Sequence, residues 1–267
     1  MSGIDRYFSV LSLFSEEKSA WTVLEISLAV DVPTSTVYRT IRELARVNML
    51  ELAYEGHYRL GAAFVEFDRR ARLTDPMVQV IGPMLSELVQ QVGVPCVSVL
   101  ARLYGDTVMC VADARSPGSS VHTSYERGRP RPLTRGATSK AILAQLTTRR
   151  LKKLLAAKPS DHTAAATESD FRCELAAIRR NGYCVSHGEV DRGIVGVAVP
   201  VFLAEQALVA SLSVMVDEAS LDESLERRLV LLLVSSVALA KEQLGRRLPA
   251  VPPEVNPKKA SKKTASG

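Results

Sequence analysis

Cysteine, histidine and aromatic residues are scarce in this chain, and their scarcity argues against several classes of protein. Among 267 residues there are four cysteines, four histidines and one tryptophan, and aromatic residues make up 5%. No two cysteines form a C-x-x-C pair, and the histidines show no spacing typical of metal ligands. The pattern argues against a disulfide framework and a zinc site, and we expect neither a metal nor a cofactor.

Long apolar runs are absent as well. No stretch reaches the ~20 apolar residues that a membrane-spanning helix requires. The longest candidate, 194–216, is interrupted by Pro200, Glu205 and Gln206 and is better interpreted as two buried strands. The N-terminal sequence MSGIDRYFSV lacks the basic segment and the apolar core of a secretory signal. We therefore expect a cytoplasmic protein that does not bind membranes.

Basic charge is concentrated at the C-terminal end. The formal net charge is +5, but residues 249–267 hold four lysines and one glutamate and contribute +3 of it. Residues 1–60 hold six basic and eight acidic residues, a net charge of −2. Nucleic-acid binding therefore has to depend on where particular arginines point, not on overall basicity. Composition predicts that the lysine-rich tail, 248–267, is disordered.

The first 61 residues have the element order of a winged helix-turn-helix domain. Apolar residues at helical spacing predict helices over 4–14 and 23–30. Pro33 suits the entry to a third helix, and we expect Thr34 or Ser35 to cap its first turn. This helix has apolar residues at positions 37, 41 and 44, spaced i, i+4 and i+7. Two short strands about a Glu55-Gly56 turn follow, which predicts a β-hairpin over 49–61.

The outward face of the third helix carries hydroxyl and guanidinium groups. A recognition helix presents such groups to phosphates and base edges, and Arg is the commonest reader of guanine. We therefore predict DNA contacts from this face and from the hairpin, by Thr34, Ser35, Thr36, Tyr38, Arg39, Arg42, His57 and Arg59. The alternative is an ordinary amphipathic helix whose arginines are solvated. The order of the elements favours DNA binding.

The rest of the chain predicts a linker helix and a second domain. The linker, 62–75, ends at Asp75 because the residue before a proline is disfavoured in a helix. Residues 76–247 alternate helices with hairpin-connected strands, which is typical of an α+β fold with an antiparallel sheet. The predicted strands lie at 96–102, 107–113, 183–187, 194–202 and 207–216.

Several ordered motifs resemble those of the IclR family of bacterial transcriptional regulators. In the first domain they are RYFSVLSLF, VPTSTVYRTIRELARVNMLE and YRLG, beginning at residues 6, 32 and 58. In the second domain they are GATSKAILA, GYCVSHGEVDRGIVGVAVPVF and ASLSVMV, beginning at residues 136, 182 and 210. The resemblance covers residues 4–245. It implies an N-terminal winged helix-turn-helix joined by a linker helix to a GAF-like α/β effector-binding domain. Thr34 and Tyr38 stand where family members often have Lys and His, so no base preference carries over.

The resemblance also implies a pocket for a small, usually acidic, metabolite in the second domain. By position its lining comprises Thr123, Arg131, Ala137, Thr138, Ser186, Ile194, Gly196, Ser211 and Ser213. In the best-known pocket pattern the position of Arg131 is apolar and that of Ser186 is acidic. Because this chain has one acidic residue fewer and one arginine more than that pattern, we predict a pocket that is more receptive to carboxylates.

The residues themselves agree in outline with such a pocket. Gly136–Thr138 lead into a helix whose exposed N–H groups and positive dipole end favour an anion. Ser211 and Ser213, two apart on one strand, share a side of the sheet and could bind a carboxylate. Two alternatives remain open. The serines could be satisfied strand hydroxyls, and Arg131 could belong to a solvent-facing basic loop.

Three kinds of function are compatible with this pattern. The first is a ligand-responsive regulator that binds a near-palindromic double-stranded DNA operator as a homodimer or homotetramer. The second is an enzyme that processes a small acid, but no G-x-S-x-G, G-x-x-x-x-G-K or H-E-x-x-H motif occurs. The third is an interaction adaptor. We expect the regulator, with no catalytic residue.

Overall fold

The computed structural model describes residues 3–157, 168–203 and 208–247, and the chain divides into two compact units. The first unit ends at Asp75 and the second begins at Pro76. The predicted disordered tail, 248–267, lies outside the described residues. Each unit has its own hydrophobic core.

Three helices form the body of the first unit. They are α1 (Gly3–Leu11), α2 (Val23–Val30) and α3 (Thr34–Arg46). Their apolar stripes meet in one small core, whose buried members are Val10, Ile26, Val37, Ile41, Leu44 and Leu50. Burial of one large aliphatic side chain contributes about 1.5–3 kcal/mol, so this cluster is the main source of stability for the unit.

Helix α2 begins at Val23 because the residues before it satisfy its first N–H groups. The Thr22 hydroxyl accepts a hydrogen bond from the Glu25 N–H at 3.3 Å, and the Glu25 carboxylate accepts one from the Thr22 N–H at 2.8 Å. This reciprocal arrangement is a capping box. Lys18 adds an ion pair to Glu25 at 2.7 Å. The hydrogen bond from Lys18, followed by those from Thr22, lowers the pKa of Glu25 to about 2.

A small antiparallel sheet completes the first unit. Its strands are β1 (Trp21–Thr22), β2 (Leu50–Leu52) and β3 (His57–Leu60), in the order β1-β3-β2. The β2–β3 hairpin turns at Glu55 and Gly56, which both have positive φ, at 43° and 76°. Strand β1 was not predicted, because two residues are too few to show an alternating pattern.

Helix α4 (Ala63–Thr74) follows the hairpin and ends where the sequence predicts. Asp75 has extended backbone angles, φ −73° and ψ 113°, as expected for a residue before proline. Most side chains of α4 are exposed, including the large apolar side chains of Val65, Phe67 and Leu73.

The second unit is built on a six-stranded antiparallel sheet. Its strands are β4 (Cys96–Tyr104), β5 (Thr107–Arg115), β6 (Pro130–Pro132), β7 (Cys184–His187), β8 (Ile194–Leu203) and β9 (Leu208–Asp217). They lie in the order β6-β5-β4-β9-β8-β7. Its helices are α5 (Pro76–Val92), α6 (Ala137–Leu143), α7 (Thr148–Ala157), α8 (Glu168–Asn181) and α9 (Glu223–Arg247). The α+β expectation is confirmed. Edge strand β6 was missed because its two prolines mask the pattern of a strand.

Helices cover both faces of this sheet. Helices α5 and α9 pack on one face, against residues such as Leu212, Val214 and Val216 of β9. Helices α6, α7 and α8 pack on the other face, against residues such as Val99 and Met215. Because side chains alternate along β9, Ser211 and Ser213 lie on the α6 side.

Candidate nucleic-acid interface and ligand site

The turn between α2 and α3 is fixed by one serine. The Ser27 hydroxyl donates to the carbonyl of Val32 at 2.6 Å, and the Val32 N–H donates to the carbonyl of Ser27 at 3.2 Å. Between them, Asp31 takes a left-handed conformation with φ 52°. The short connection therefore holds α3 in one orientation on α2.

The inner side of α3 is tied to the rest of the first unit. Val37 and Ile41 are buried in its core. The buried Thr40 hydroxyl donates to the Thr36 carbonyl at 3.0 Å. The Tyr7 hydroxyl donates to the Glu43 carboxylate, which joins α3 to α1. The outward residues are thereby held on a rigid helix, as a precise recognition surface requires.

The outer side of α3 is open to solvent. Ser35, Tyr38, Arg39 and Arg42 are exposed, with 57% of Tyr38 accessible. Within the described residues, neither Arg39 nor Arg42 forms an ion pair. Both guanidinium groups therefore remain available to phosphates or base edges. We call this surface, defined by Ser35, Tyr38, Arg39 and Arg42, the α3 face.

The expected cap of α3 is wrong. The N-cap is Pro33, and no side chain accepts a hydrogen bond there. The Thr34 hydroxyl instead lies 3.2 Å from the Ser27 hydroxyl, and Thr36 is half-buried. Because Pro33 occupies the N-cap position, Thr34 lies in the first turn of α3, where its hydroxyl is close to Ser27 of α2.

The two predicted contact residues of the hairpin already have partners. Arg59 forms an ion pair with its cross-strand neighbour Glu51 at 2.7 Å. His57 is stacked on Tyr54, with 4.7 Å between the ring centroids. Glu51 is half-buried and Tyr54 is exposed, so these contacts orient the side chains of Arg59 and His57 without burying them.

Most of the predicted effector-site residues lie together where α6 packs on the sheet, but their polar groups bond one another. Thr138 donates its hydroxyl proton to Ser213 Oγ at 3.0 Å, and Ser211 donates to the Thr138 carbonyl at 2.9 Å. Ser186 Oγ accepts the Ala137 N–H at 2.9 Å. The serines at 211 and 213 are completely buried. These hydroxyls join a helix to a sheet, as the alternative interpretation held.

The N–H groups at the start of α6 are not exposed, so the expectation of a free anion site there is wrong. The Gly136 N–H donates to the Glu189 carboxylate at 2.9 Å. Lys140 holds the other oxygen of Glu189 at 2.7 Å and also binds Glu174 at 2.7 Å. Burial by itself lowers the pKa of Lys140, but the hydrogen bonds that its ammonium group donates to the two glutamates outweigh this effect and raise the pKa. The anion that this helix start favours is therefore a carboxylate of the same chain.

The remaining predicted lining residues are spread around this interface. Gly196 lies beneath Ser186 and Ala137, which a Cβ atom on it would approach to 3.5 and 3.6 Å. Thr123 is buried and accepts the Tyr125 N–H at 3.2 Å. Ile194 packs against the core on the α6 side.

Arg131 lies apart from the hydroxyl groups, in a cleft at the sheet edge. It is central in β6 and pairs with Val108. The cleft encloses about 40 Å³ and is lined by Tyr125, Arg131, Pro132, Arg135 and Val190. Of these residues, only Arg131 is among those that the sequence predicts to line the effector site. Tyr125, Arg135 and Val190 become neighbours only when the 188–193 turn folds over the start of α6.

Two buried thiols of the second unit, those of Cys110 and Cys184, are poor nucleophiles. Burial raises the pKa of Cys110 and of Cys184 to about 12, so both stay protonated at neutral pH. Cys184 is buried whereas His187 is exposed, so the two side chains do not form a pair. In the described part of the chain, no group of three or more His, Cys, Asp or Glu is placed to hold a metal ion.

The fold and the α3 face define a DNA-binding protein of the winged helix-turn-helix class with a separate α/β unit. The family model for the IclR helix-turn-helix domain matches residues 3–52, and that for the bacterial transcriptional regulator IclR C-terminal domain matches residues 74–240. The chain therefore belongs to the IclR family of bacterial transcriptional regulators, as its motifs indicate.

Known relatives are similar along most of the chain. The transcriptional regulator KipR of Bacillus subtilis is 24% identical over 218 residues, covering 80% of this chain and 86% of KipR. The Pca regulon regulatory protein of Pseudomonas putida is 23% identical over 257 residues, covering 92% and 85%.

Solved structures of this family share the fold. An IclR transcriptional regulator from Alicyclobacillus acidocaldarius has a TM-score of 0.77 at 25% identity, covering 90% of this chain and 97% of that one. An IclR homologue from Microbacterium hydrocarbonoxydans, complexed with 4-hydroxybenzoate, has a TM-score of 0.74 at 24% identity, covering 92% and 100%. Within the described ranges, no helix has the length and apolar character needed to cross a membrane.

Proposed function

We propose that this protein binds a near-palindromic operator through the α3 face and that a small carboxylic acid modulates this binding. The observation that carries the proposal is the α3 face itself. It presents a tyrosine, a serine and two arginines that form no ion pair with any described residue, on a helix that is fixed on its inner side. In a family of DNA-binding regulators, such a surface matches the groove of a duplex.

Two copies of the chain act together in this proposal. One recognition helix covers few base pairs, so a dimer or tetramer places two helices about 34 Å apart, one DNA turn. The exposed apolar side chains of α4, among them Val65 and Phe67, provide surface for such pairing. The ligand then changes the population of arrangements that fit DNA.

The effector in this proposal is a small carboxylic acid, and it is bound without chemical conversion. The Microbacterium homologue that binds 4-hydroxybenzoate supports an acidic ligand. The guanidinium groups of Arg131 and Arg135 in the cleft offer the matching charge. The raised pKa values of Cys110 and Cys184 speak against catalysis by these thiols.

The DNA part is tested with duplexes selected by the full-length protein from a random pool. Arg39→Ala and Arg42→Ala should each weaken binding to the selected site at least tenfold, because a two-fold dimer loses two contacts of about 1–3 kcal/mol. If the removed arginine contacts phosphate, the slope of log affinity against log salt concentration should also become shallower by about two, one for each copy of the chain.

Arg150→Ala is the matched control, because Arg150 is exposed on α7 in the second unit. It should leave affinity and salt dependence unchanged. If Arg39→Ala and Arg42→Ala behaved like this control in gel-shift titrations, α3 would not be the DNA-binding helix, and the adaptor interpretation would be favoured.

A further inference from the structure

We propose that a compact dicarboxylate binds in the cleft between Arg131 and Arg135, and not at the first turn of α6. This inference rests on the proposed function, since it names the ligand class and the site for the acidic effector. The site is separate from the packed hydroxyl groups of Thr138, Ser211 and Ser213.

The cleft has the size of an acidic head group. Its volume of about 40 Å³ corresponds to roughly three ordered water molecules. Tyr125 and Pro132 form apolar walls, and Val190 reaches it from the turn between β7 and β8. A space of this size holds one carboxylate of a short diacid, and the second carboxylate then lies at the mouth of the cleft, near the exposed Arg135.

The two cations of the cleft have no carboxylate partner among the residues that the structure describes. Arg131 Nε is buried and has no hydrogen-bond acceptor among the described residues. Arg135 donates one hydrogen bond, at 2.6 Å, to the backbone carbonyl of Glu189 and forms no ion pair within the described ranges. A buried donor without an acceptor destabilises the folded protein, so an anion that accepts a hydrogen bond from Arg131 removes an existing penalty.

The acidic residues of the same region are bound elsewhere. Glu126 pairs with Arg129 at 3.3 Å. Asp191 accepts the Ser124 N–H at 2.7 Å and also the Ser124 hydroxyl. Neither forms an ion pair with Arg131 or Arg135 in the described part of the chain, and two guanidinium groups on one cleft match the two charges of a dicarboxylate.

The alternative position at the start of α6 is filled by the protein itself. Glu189 holds the Gly136 N–H there, and Lys140 holds Glu189. An added acid would have to displace that carboxylate and break the ion pair. Binding in the cleft requires no such displacement. The cleft adjoins the same turn through Val190. This side chain packs closely on Gly136, because a Cβ atom built on Gly136 would lie 2.6 Å from Val190 Cγ2. A ligand in the cleft therefore contacts the turn that carries Glu189.

The test is calorimetric titration of the full-length protein with malonate, acetate, malonamide and inorganic phosphate. Malonate should bind more tightly than acetate, and the neutral malonamide should not bind. Arg131→Gln and Arg135→Gln should each weaken malonate binding at least tenfold, because each removes a charged fork. Arg131→Lys keeps the charge but loses the fork geometry and should give an intermediate affinity.

Arg129→Gln is the matched control in the same loop, because Arg129 is exposed and lies outside the cleft lining. It should change malonate affinity less than twofold, and circular dichroism should show that every variant is folded. The proposal is overturned if wild-type protein does not bind malonate or binds phosphate more tightly. It is also overturned if both Gln variants bind malonate normally, or if folded Ser213→Ala protein loses binding while they keep it.

Failure of this proposal can be told apart from failure of the proposed function. If malonate binds in the cleft but never alters DNA retardation, the ligand site stands and the regulatory role fails. If another acid alters DNA retardation and Arg131→Gln and Arg135→Gln leave that response unchanged, the regulatory role stands and the cleft assignment fails.

Discussion

The two units use serine and threonine in opposite ways. In the first unit, Thr34 and Ser35 are exposed at the start of α3 and cap nothing. In the second unit, Thr138, Ser211 and Ser213 are buried and bond one another where α6 meets the sheet. An exposed hydroxyl can exchange water for a partner at little cost, whereas a buried one costs free energy as soon as its partner is lost. The first group is suited to recognition and the second to structure.

Charged residues show the same contrast. Arg39 and Arg42 are solvated on the α3 face, while Lys140 is only 6% exposed and bridges two glutamates. Removing an exposed charge mainly changes binding, but removing a buried charge leaves its partners unpaired.

The largest expected effect concerns the buried charge of Lys140. Lys140→Met should destabilise the second unit by about 2–3 kcal/mol, because it leaves Glu174 and Glu189 without their cation. This value is below the full penalty for a buried pair because the glutamate side chains are 40% and 26% exposed. Denaturant unfolding followed by circular dichroism measures it. Fluorescence of the single tryptophan, Trp21, should be unaffected because it reports on the first unit.

Lys152→Met is the control for Lys140→Met, since Lys152 is exposed on α7. It should change the unfolding free energy by less than about 0.5 kcal/mol. Adding Glu189→Gln to Lys140→Met should recover part of the loss. Equal effects of the two lysine substitutions would mean that the buried ion pairs do not stabilise the unit.

A pair of serine substitutions compares the two units directly. Ser213→Ala should cost about 1–2 kcal/mol of unfolding free energy, because the buried Thr138 hydroxyl loses its acceptor. Ser35→Ala should cost less than about 0.5 kcal/mol and should weaken operator binding instead. Denaturant unfolding and gel-shift titration on both variants check this. The comparison fails if the two substitutions have similar effects on stability.

The capping box of α2 gives a smaller effect that depends on pH. The pKa of Glu25 is lowered from 4.5 to about 2, so its charge stabilises the folded unit fully above about pH 4.5. This contribution is lost as the pH falls from about 4.5 through about 2. The difference in thermal stability between the wild type and Glu25→Gln should therefore shrink across that window, as Trp21 fluorescence can follow. A difference that stays constant down to pH 2 would contradict the assignment.

The smallest effect concerns thiol reactivity and leaves stability unchanged. Cys173 is exposed, whereas Cys96, Cys110 and Cys184 are buried. Burial raises the pKa of Cys110 and Cys184 to about 12. N-ethylmaleimide at neutral pH should therefore modify Cys173 in the folded protein, and all four cysteines in denaturant. Peptide mass spectrometry identifies the modified residue. Rapid modification of Cys184 in folded protein would show that the packing beneath α6 opens.

The fold was predictable from periodicity, whereas the cleft at Arg131 was not. Helices α2 and α3 lie where their apolar spacing predicts, because helix burial follows a fixed 3.6-residue period. The two-residue strand β1 and the proline-containing edge strand β6 carry no such signal and were missed. The cleft residues Tyr125, Arg135 and Val190 come from separate loops, and no sequence spacing brings them together.

The sequence by itself determined the family, the order of the elements and the arginine-bearing face of α3, because these depend on local periods and ordered motifs. Only the tertiary structure decided which polar groups are free. It bonded the Gly136 N–H to Glu189 and the hydroxyls of Ser211 and Ser213 to Thr138, and among the described residues it left Arg131 and Arg135 without an ion pair. Hydrogen-bond partners distant in the chain meet only after folding, and so the state of a ligand site depends on packing, not on composition.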